Sequence, residues 1–219
     1  LSVYTGETIS EKTTLIFFDE IQACPRALAS LKYFAEEAPG YAVIGAGSLL
    51  GVAFNRGKES FPVGKVRILT MYPLDFEEFL IAERGSDAVA VIMESFRKFE
   101  PCHLHETFTD IFRTYVYTGG MPAVIKEYLE NRDYLMSDIV KKDISDSYIA
   151  DMAKYAGKDE TVRMIAAYRS LPAQLAKENR KFMYSVIKSG GRAAEYGSAI
   201  DWLRSAGVVL DCRRVSECR

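Results

Sequence analysis

Asp19 and Glu20 are the residues whose types and placing could do chemistry in this chain. They follow directly on the apolar run Leu15-Ile16-Phe17-Phe18. A continuous apolar run of this length reads as a strand buried on both faces, as in a parallel sheet. Ionised carboxylates are seldom buried without a partner. The two acids therefore belong at the C-terminal end of the strand, where open α/β sheets bind their ligands. One carboxylate placed there can hold a divalent cation, and its neighbour can orient or deprotonate a water. The same stretch also fits a strand that ends in a solvated turn carrying two acids.

The surrounding elements decide how such a pair is held. Pro25 suits the first turn of a helix, and Leu28, Leu31, Phe34 and Ala35 recur at helical spacing up to Pro39-Gly40. Tyr41-Ala42-Val43-Ile44 is a second apolar run, closed by Gly45-Ala46-Gly47-Ser48. Strand, helix and strand in this order make a βαβ unit with a parallel pair. Such a strand ending in Asp-Glu has the form of a Walker B strand, whose acid holds Mg²⁺ in P-loop NTPases. If the two strands are neighbours, Ser48 comes beside Asp19, in the sensor 1 position of AAA+ ATPases. A tight turn of small residues is the other reading of Gly45–Ser48.

Beyond the βαβ unit, residues 49–64 read as an exposed Gly/Pro loop carrying Arg56, and Val66–Met71 alternates like a strand. Asp75 and Glu78 are spaced as a capping box for a helix whose Phe76, Phe79 and Leu80 share a core face. From Asp87 to Glu130 the pattern is helical. Val91, Ile92, Ser95, Phe96 and Phe99 form one stripe, and Leu104, Phe108, Ile111, Phe112 and Tyr115 another. Thr118-Gly119-Gly120-Met121 separates helices, and Ala123–Leu129 and Tyr134–Ile149 continue the pattern. Near the C-terminus a helix begins at Val162, another at Leu171-Pro172, and a short apolar stretch runs from Phe182 to Ile187. Ala193–Ala206 is amphipathic and closed by Gly207, and Val208–Val215 reads as a strand. Three short helices and a strand resemble a winged helix with Ala193–Ala206 as its recognition helix. The exposed face of that helix would hold Arg192, Glu195, Asp201 and Arg204. This mixture is not strongly basic, which argues against tight DNA binding through this helix, and a protein-interacting winged helix fits it at least as well.

Composition is that of a soluble globular chain, with 48% hydrophobic and 26% charged residues. No apolar run approaches the ~20 residues needed to span a membrane, and no membrane partner is expected. The four cysteines form no CxxC pair. They read as reduced thiols in a cytoplasmic protein. The run Cys102-His103-Leu104-His105 has no fourth metal ligand near it. The overall net charge of −2 hides an asymmetry: residues 1–160 carry 17 Lys+Arg against 25 Asp+Glu, and residues 161–219 carry 11 against 5. A basic C-terminal segment is either a nucleic-acid-facing surface or an imbalance without consequence.

The segments LIFFDEIQ, VIGAGSLLG, VRILTMYPLDFEEFL and YTGGMPAVI occur in this order, from about Glu7 onward. Together they resemble a prokaryotic AAA family of predicted ATPases. In that family a P-loop ATPase domain precedes a C-terminal region that begins with a winged helix and continues into a nuclease-like fold. MYPLDFEEF is the most specific marker and DEIQ the next. The resemblance implies an α/β fold: a partial, parallel-sheet P-loop NTPase (AAA+) core over residues 1–80, a helical region over 81–160 and a truncated winged-helix-like domain over 161–219. It implies ATP and Mg²⁺ as cofactors, Asp19 as the acid that holds Mg²⁺ through water, Glu20 as the acid that polarises the attacking water, and Ser48 as sensor 1. Arg56 takes the place of an arginine finger, with Arg67 as competitor, and a finger acting in trans implies a homo-oligomer. The phosphate-binding loop GxxxxGK[ST] occurs nowhere in the 219 residues and is expected ahead of Leu1. The expected protein is thus a fragment of an ATP-hydrolysing AAA+ enzyme. The alternative is an inactive AAA remnant that binds DNA or protein through its winged helix.

Overall fold

The structure is a computed structural model that describes residues 2–47, 64–155, 157–178 and 181–212. It divides into two compact units. One comprises Leu1–Leu69 with Ala156–Arg219, and the other Thr70–Tyr155.

In the first unit, Ser2–Thr5 forms a short helix, α1. Strand β1, Leu15–Phe18, is followed by a 3₁₀ turn at Ile21–Ala23, helix α2 at Pro25–Glu37 and strand β2 at Ala42–Gly45. Pro25 occupies the first turn of α2, where its missing N–H costs nothing. The strands pair in parallel, with Leu15 opposite Ala42 and Phe18 opposite Gly45. The βαβ unit read from the sequence is therefore present. The burial of its first strand is not as expected. Ile16 is buried, and Phe18 packs its ring 6.3 Å from that of Phe34 in α2. Leu15 and Phe17 point to the opposite face and remain 54% and 55% exposed. Among the described residues only one face of the pair is covered, because α2 packs on one side of a sheet of two strands. Val66–Met71 is likewise not a strand. It runs without regular hydrogen bonding, and Ile68, Leu69 and Met71 are exposed.

The C-terminal part of this unit is helical. Helix α8, Lys158–Leu175, runs unbroken through Pro172, where two helices are read from the sequence. Pro172 is exposed and its carbonyl still accepts from Ala176 N at 3.0 Å. The helix thus continues past the proline, whose own N–H is the one backbone donor missing from this stretch. Gln174, buried, grips the next segment with both amide atoms: Oε1 accepts from Met183 N at 2.8 Å and Nε2 donates to Met183 O at 3.1 Å. Helices α9, Tyr184–Ile187, and α10, Ala193–Ser205, both pack on α8. Tyr196, Ala199, Trp202 and Leu203 form the buried face of α10. The described part of the expected final strand, Val208–Cys212, has no strand pairing. Val208 N and Val209 N instead fold back on Leu203 O, which makes a helix-terminating turn.

The second unit contains α3 (Phe76–Arg84), α4 (Ser86–Lys98), α5 (His105–Thr118), α6 (Pro122–Asn131) and α7 (Tyr134–Tyr155). The expected capping box opens α3: Asp75 Oδ1 accepts from Glu78 N at 2.9 Å, and Glu78 Oε2 accepts from Asp75 N at 3.0 Å. Phe79, Leu80, Phe108, Ile111, Ile125 and Tyr128 make the core. The α4 stripe is displaced from the expected one. Ala88, Val89 and Ile92 face the core, while Phe96 and Phe99 are exposed, Phe99 at 93%. The apolar side of α4 is wider than the surface α3 can cover.

The markers MYPLDFEEF and YTGGMPAVI meet in this unit. Leu74 N donates to Gly120 O at 2.7 Å, and the Tyr115 hydroxyl donates to Leu74 O at 2.9 Å. Burial first, then the Asp75 and Glu78 carboxylates, push the Tyr115 phenol above the usual tyrosine range, so it remains a neutral donor. A Cβ on Gly120 would lie 2.2 Å from Leu74 O and 3.0 Å from Pro73 Cβ. The most specific sequence marker is thus explained by close backbone packing between two segments. No helix among the described residues is long and apolar enough to cross a membrane. Gly120→Ala is expected to cost about 3 kcal/mol, because the clash is with backbone that cannot step aside. A thermal melt of wild type and variant checks this, and an unchanged midpoint would contradict the close-packing account.

Candidate functional site

The end of β1 is shaped by one residue of the neighbouring strand segment. Ala46 N donates to Phe18 O at 2.8 Å, and Ala46 O accepts from Ile21 N at 3.0 Å. These two bonds bracket Asp19 and Glu20, so the chain must turn within two residues. It does so by placing Glu20 in the left-handed region, at φ 47° and ψ 45°. That conformation costs a non-glycine residue about 1 kcal/mol or more. Glu20 O then accepts from Ala23 N at 2.8 Å, which closes the 3₁₀ turn. Ile21, only 2% exposed, anchors the turn from below. A Cβ on Gly45 would come within 2.8 Å of Ile21 Cδ1, so the small residue at the end of β2 makes room for the anchor.

Both carboxylates stand at the C-terminal edge of the parallel pair and are exposed. Asp19 Oδ1 accepts from Glu20 N at 3.0 Å, which leaves Oδ2 without a protein partner among the described residues. Gln22 Nε2 donates to Glu20 Oε2. A carboxylate can only accept, so the amide nitrogen must face it. Gln22 Oε1 is buried and has no hydrogen-bond partner among the described residues. Acid chemistry by itself does not point to Gln22, which the structure places against the second acid. The signal for it is the i+2 spacing in Asp-Glu-Ile-Gln, which puts an amide within reach of the second acid.

Among the described residues no group of three or more His, Cys, Asp or Glu could hold a metal unaided. Mg²⁺ is characteristically held by one or two carboxylates together with substrate phosphates and water. Asp19 and Glu20, exposed and held in place on one turn, suit that kind of partial donor set. Ser48 and Arg56 lie outside the described residues. Arg67 is exposed in a segment without regular structure.

The parallel βαβ unit is compatible with a partial P-loop NTPase-like α/β fold, and residues 1–80 match the family described as AAA domain, which supports an AAA-type domain in this segment. Residues 109–219 match the family described as domain of unknown function (DUF8612), and the chain, half of which is covered by that match, belongs to this family. No curated protein and no solved structure matches the chain.

Replacing Glu20 by Gly removes the left-handed strain together with the carboxylate. Glu20→Gly is expected to stabilise the fold by about 1 kcal/mol. Denaturant unfolding measures this, and a loss of stability would show that the Glu20 side chain supports the turn.

Proposed function

We propose that this chain supplies the hydrolytic half of a Mg²⁺-ATP site in an AAA-type ATPase. The observation that carries the reading is the clasp of Ala46 around Asp19-Glu20, which presents two carboxylates at the ligand-binding edge of a parallel pair. The match of residues 1–80 to an AAA domain supports it independently.

In this reading Asp19 holds Mg²⁺ through water, and the ion, when bound, neutralises charge on the transferred phosphate. Glu20 accepts a hydrogen bond from the attacking water and takes up its proton as the new oxygen–phosphorus bond forms and the bond from the γ-phosphorus to the bridging oxygen breaks, ADP leaving with that oxygen. Gln22 fixes the Glu20 carboxylate so that one oxygen stays turned to the water. Ser48 serves as the sensor beside Asp19, and Arg56 reaches the nucleotide of a neighbouring copy in a homo-oligomer. In this reading the phosphate cradle, a GxxxxGK[ST] loop that the 219 residues do not contain, is supplied from outside them.

The test is ATP hydrolysis by the protein carrying its phosphate-binding loop, with Glu20→Gln alongside. The variant should bind ATP as wild type does and hydrolyse it at least about 100-fold more slowly. Equal rates would remove Glu20 from the mechanism.

A further inference from the structure

The C-terminal helices present a cationic surface that the nucleotide reading leaves unused. From Asn179 to Ala194 the chain has four Lys or Arg and no Asp or Glu. Of these, Lys181, Lys188 and Arg192 fall in the described residues and are exposed. Lys188 and Arg192 flank the tight turn between α9 and α10, which Gly191 N closes on Lys188 O at 2.8 Å. Neither forms an ion pair among the described residues. Farther along α10, Arg204 is taken up by Asp201 at 3.1 Å and by Asp211, beyond the helix, at 2.8 Å. The mixed face read from the sequence therefore has its only distal cation paired, while Lys188 and Arg192 stand exposed at the proximal end, where Glu195 is half-buried.

The shape of that end matters as much as its charge. Behind Arg192 the exposed residues of α10 are Ala193, Ala194 and Ser198, with the paired Asp201 beyond. Small side chains allow a helix to approach a groove closely. They supply little of the apolar area that a helical partner or a membrane surface would need. The major groove of B-form DNA is about 12 Å wide and admits an α-helix, whereas that of A-form RNA is too narrow. Arg, Lys, Asn and Gln, the side chains that make bidentate contacts to base edges, are missing from the exposed stripe of α10 after Arg192.

We propose that the α9–α10 turn binds duplex DNA through its phosphates, without sequence preference, with Lys188 and Arg192 as backbone contacts and the start of α10 against the major groove. The inference does not depend on the role of Asp19 and Glu20.

The experiment is fluorescence anisotropy of a labelled mixed-sequence DNA duplex titrated with the 219-residue chain, between about 50 and 200 mM NaCl. Lys188→Ala/Arg192→Ala should weaken binding at the lower salt by about tenfold and make the slope of log affinity against log salt shallower by about 2. Lys188→Arg/Arg192→Lys should restore both, and Lys126→Ala, in the other unit, should change neither. Trp202 is the sole tryptophan and lies buried in α10 at 5% exposure, so an unshifted emission maximum reports that each variant keeps this packing. Absence of wild-type binding at the lower salt, or an unchanged salt slope in the double Ala variant, overturns the proposal. So does equal binding to an RNA duplex, or to phosphatidylserine vesicles, with the same dependence on Lys188 and Arg192.

Discussion

Two hydrogen bonds to Ala46 govern the site. One peptide unit beyond β2 takes the carbonyl of Phe18 and gives its own oxygen to Ile21 N. Everything between those anchor points must turn outward, and what lies between them is Asp19 and Glu20. The left-handed backbone of Glu20, the buried Ile21 and the missing Cβ of Gly45 are consequences of that single constraint. The strained backbone of Glu20 persists because its surroundings hold it on both sides. Gln22 completes it by binding the second acid from within the same turn.

Much of this was legible in the residues. An apolar run entering two acids places them at a strand end, because burial of both charges is prohibitive. Pro25 marks the start of α2, and Asp75 with Glu78 spells out a capping box that forms as expected. What could not be read has a common physical cause: periodicity locates an apolar face but says nothing of what covers it. Leu15 and Phe17 belong to an apolar strand yet stay exposed, since α2 covers only the other face. Phe96 and Phe99 extend a helical stripe past the reach of α3. Val66–Met71 has the alternation of a strand but no partner to pair with among the described residues. Pro172 signals a helix start, and the helix runs through it because the residue faces solvent. The roles of Ser48 and Arg56 fall on residues outside those described.

The sequence markers divide by purpose. Asp-Glu-Ile-Gln is chemical: three of its four side chains carry carboxylate or amide groups at the exposed turn, and the fourth anchors it. MYPLDFEEF is architectural, since its Leu74 backbone is held by Gly120 from the second marker and by Tyr115 of α5. This explains why no rule of nucleotide chemistry requires it. It belongs to a helical unit whose membership is shared with the family of residues 109–219 rather than with the AAA domain alone. The basic turn at Lys188–Arg192 is a third kind of signal, visible as charge but interpretable only once Arg204 and Asp201 are seen to neutralise each other.

The central claim is that Asp19 belongs to a metal–nucleotide site. The most direct measurement is the electron paramagnetic resonance signal of Mn²⁺ titrated, in the presence of ATP, into the protein carrying its phosphate-binding loop and into its Asp19→Asn variant. The account predicts bound Mn²⁺ in the wild type and at least about tenfold weaker binding in the variant. Identical Mn²⁺ binding by the two proteins would contradict it.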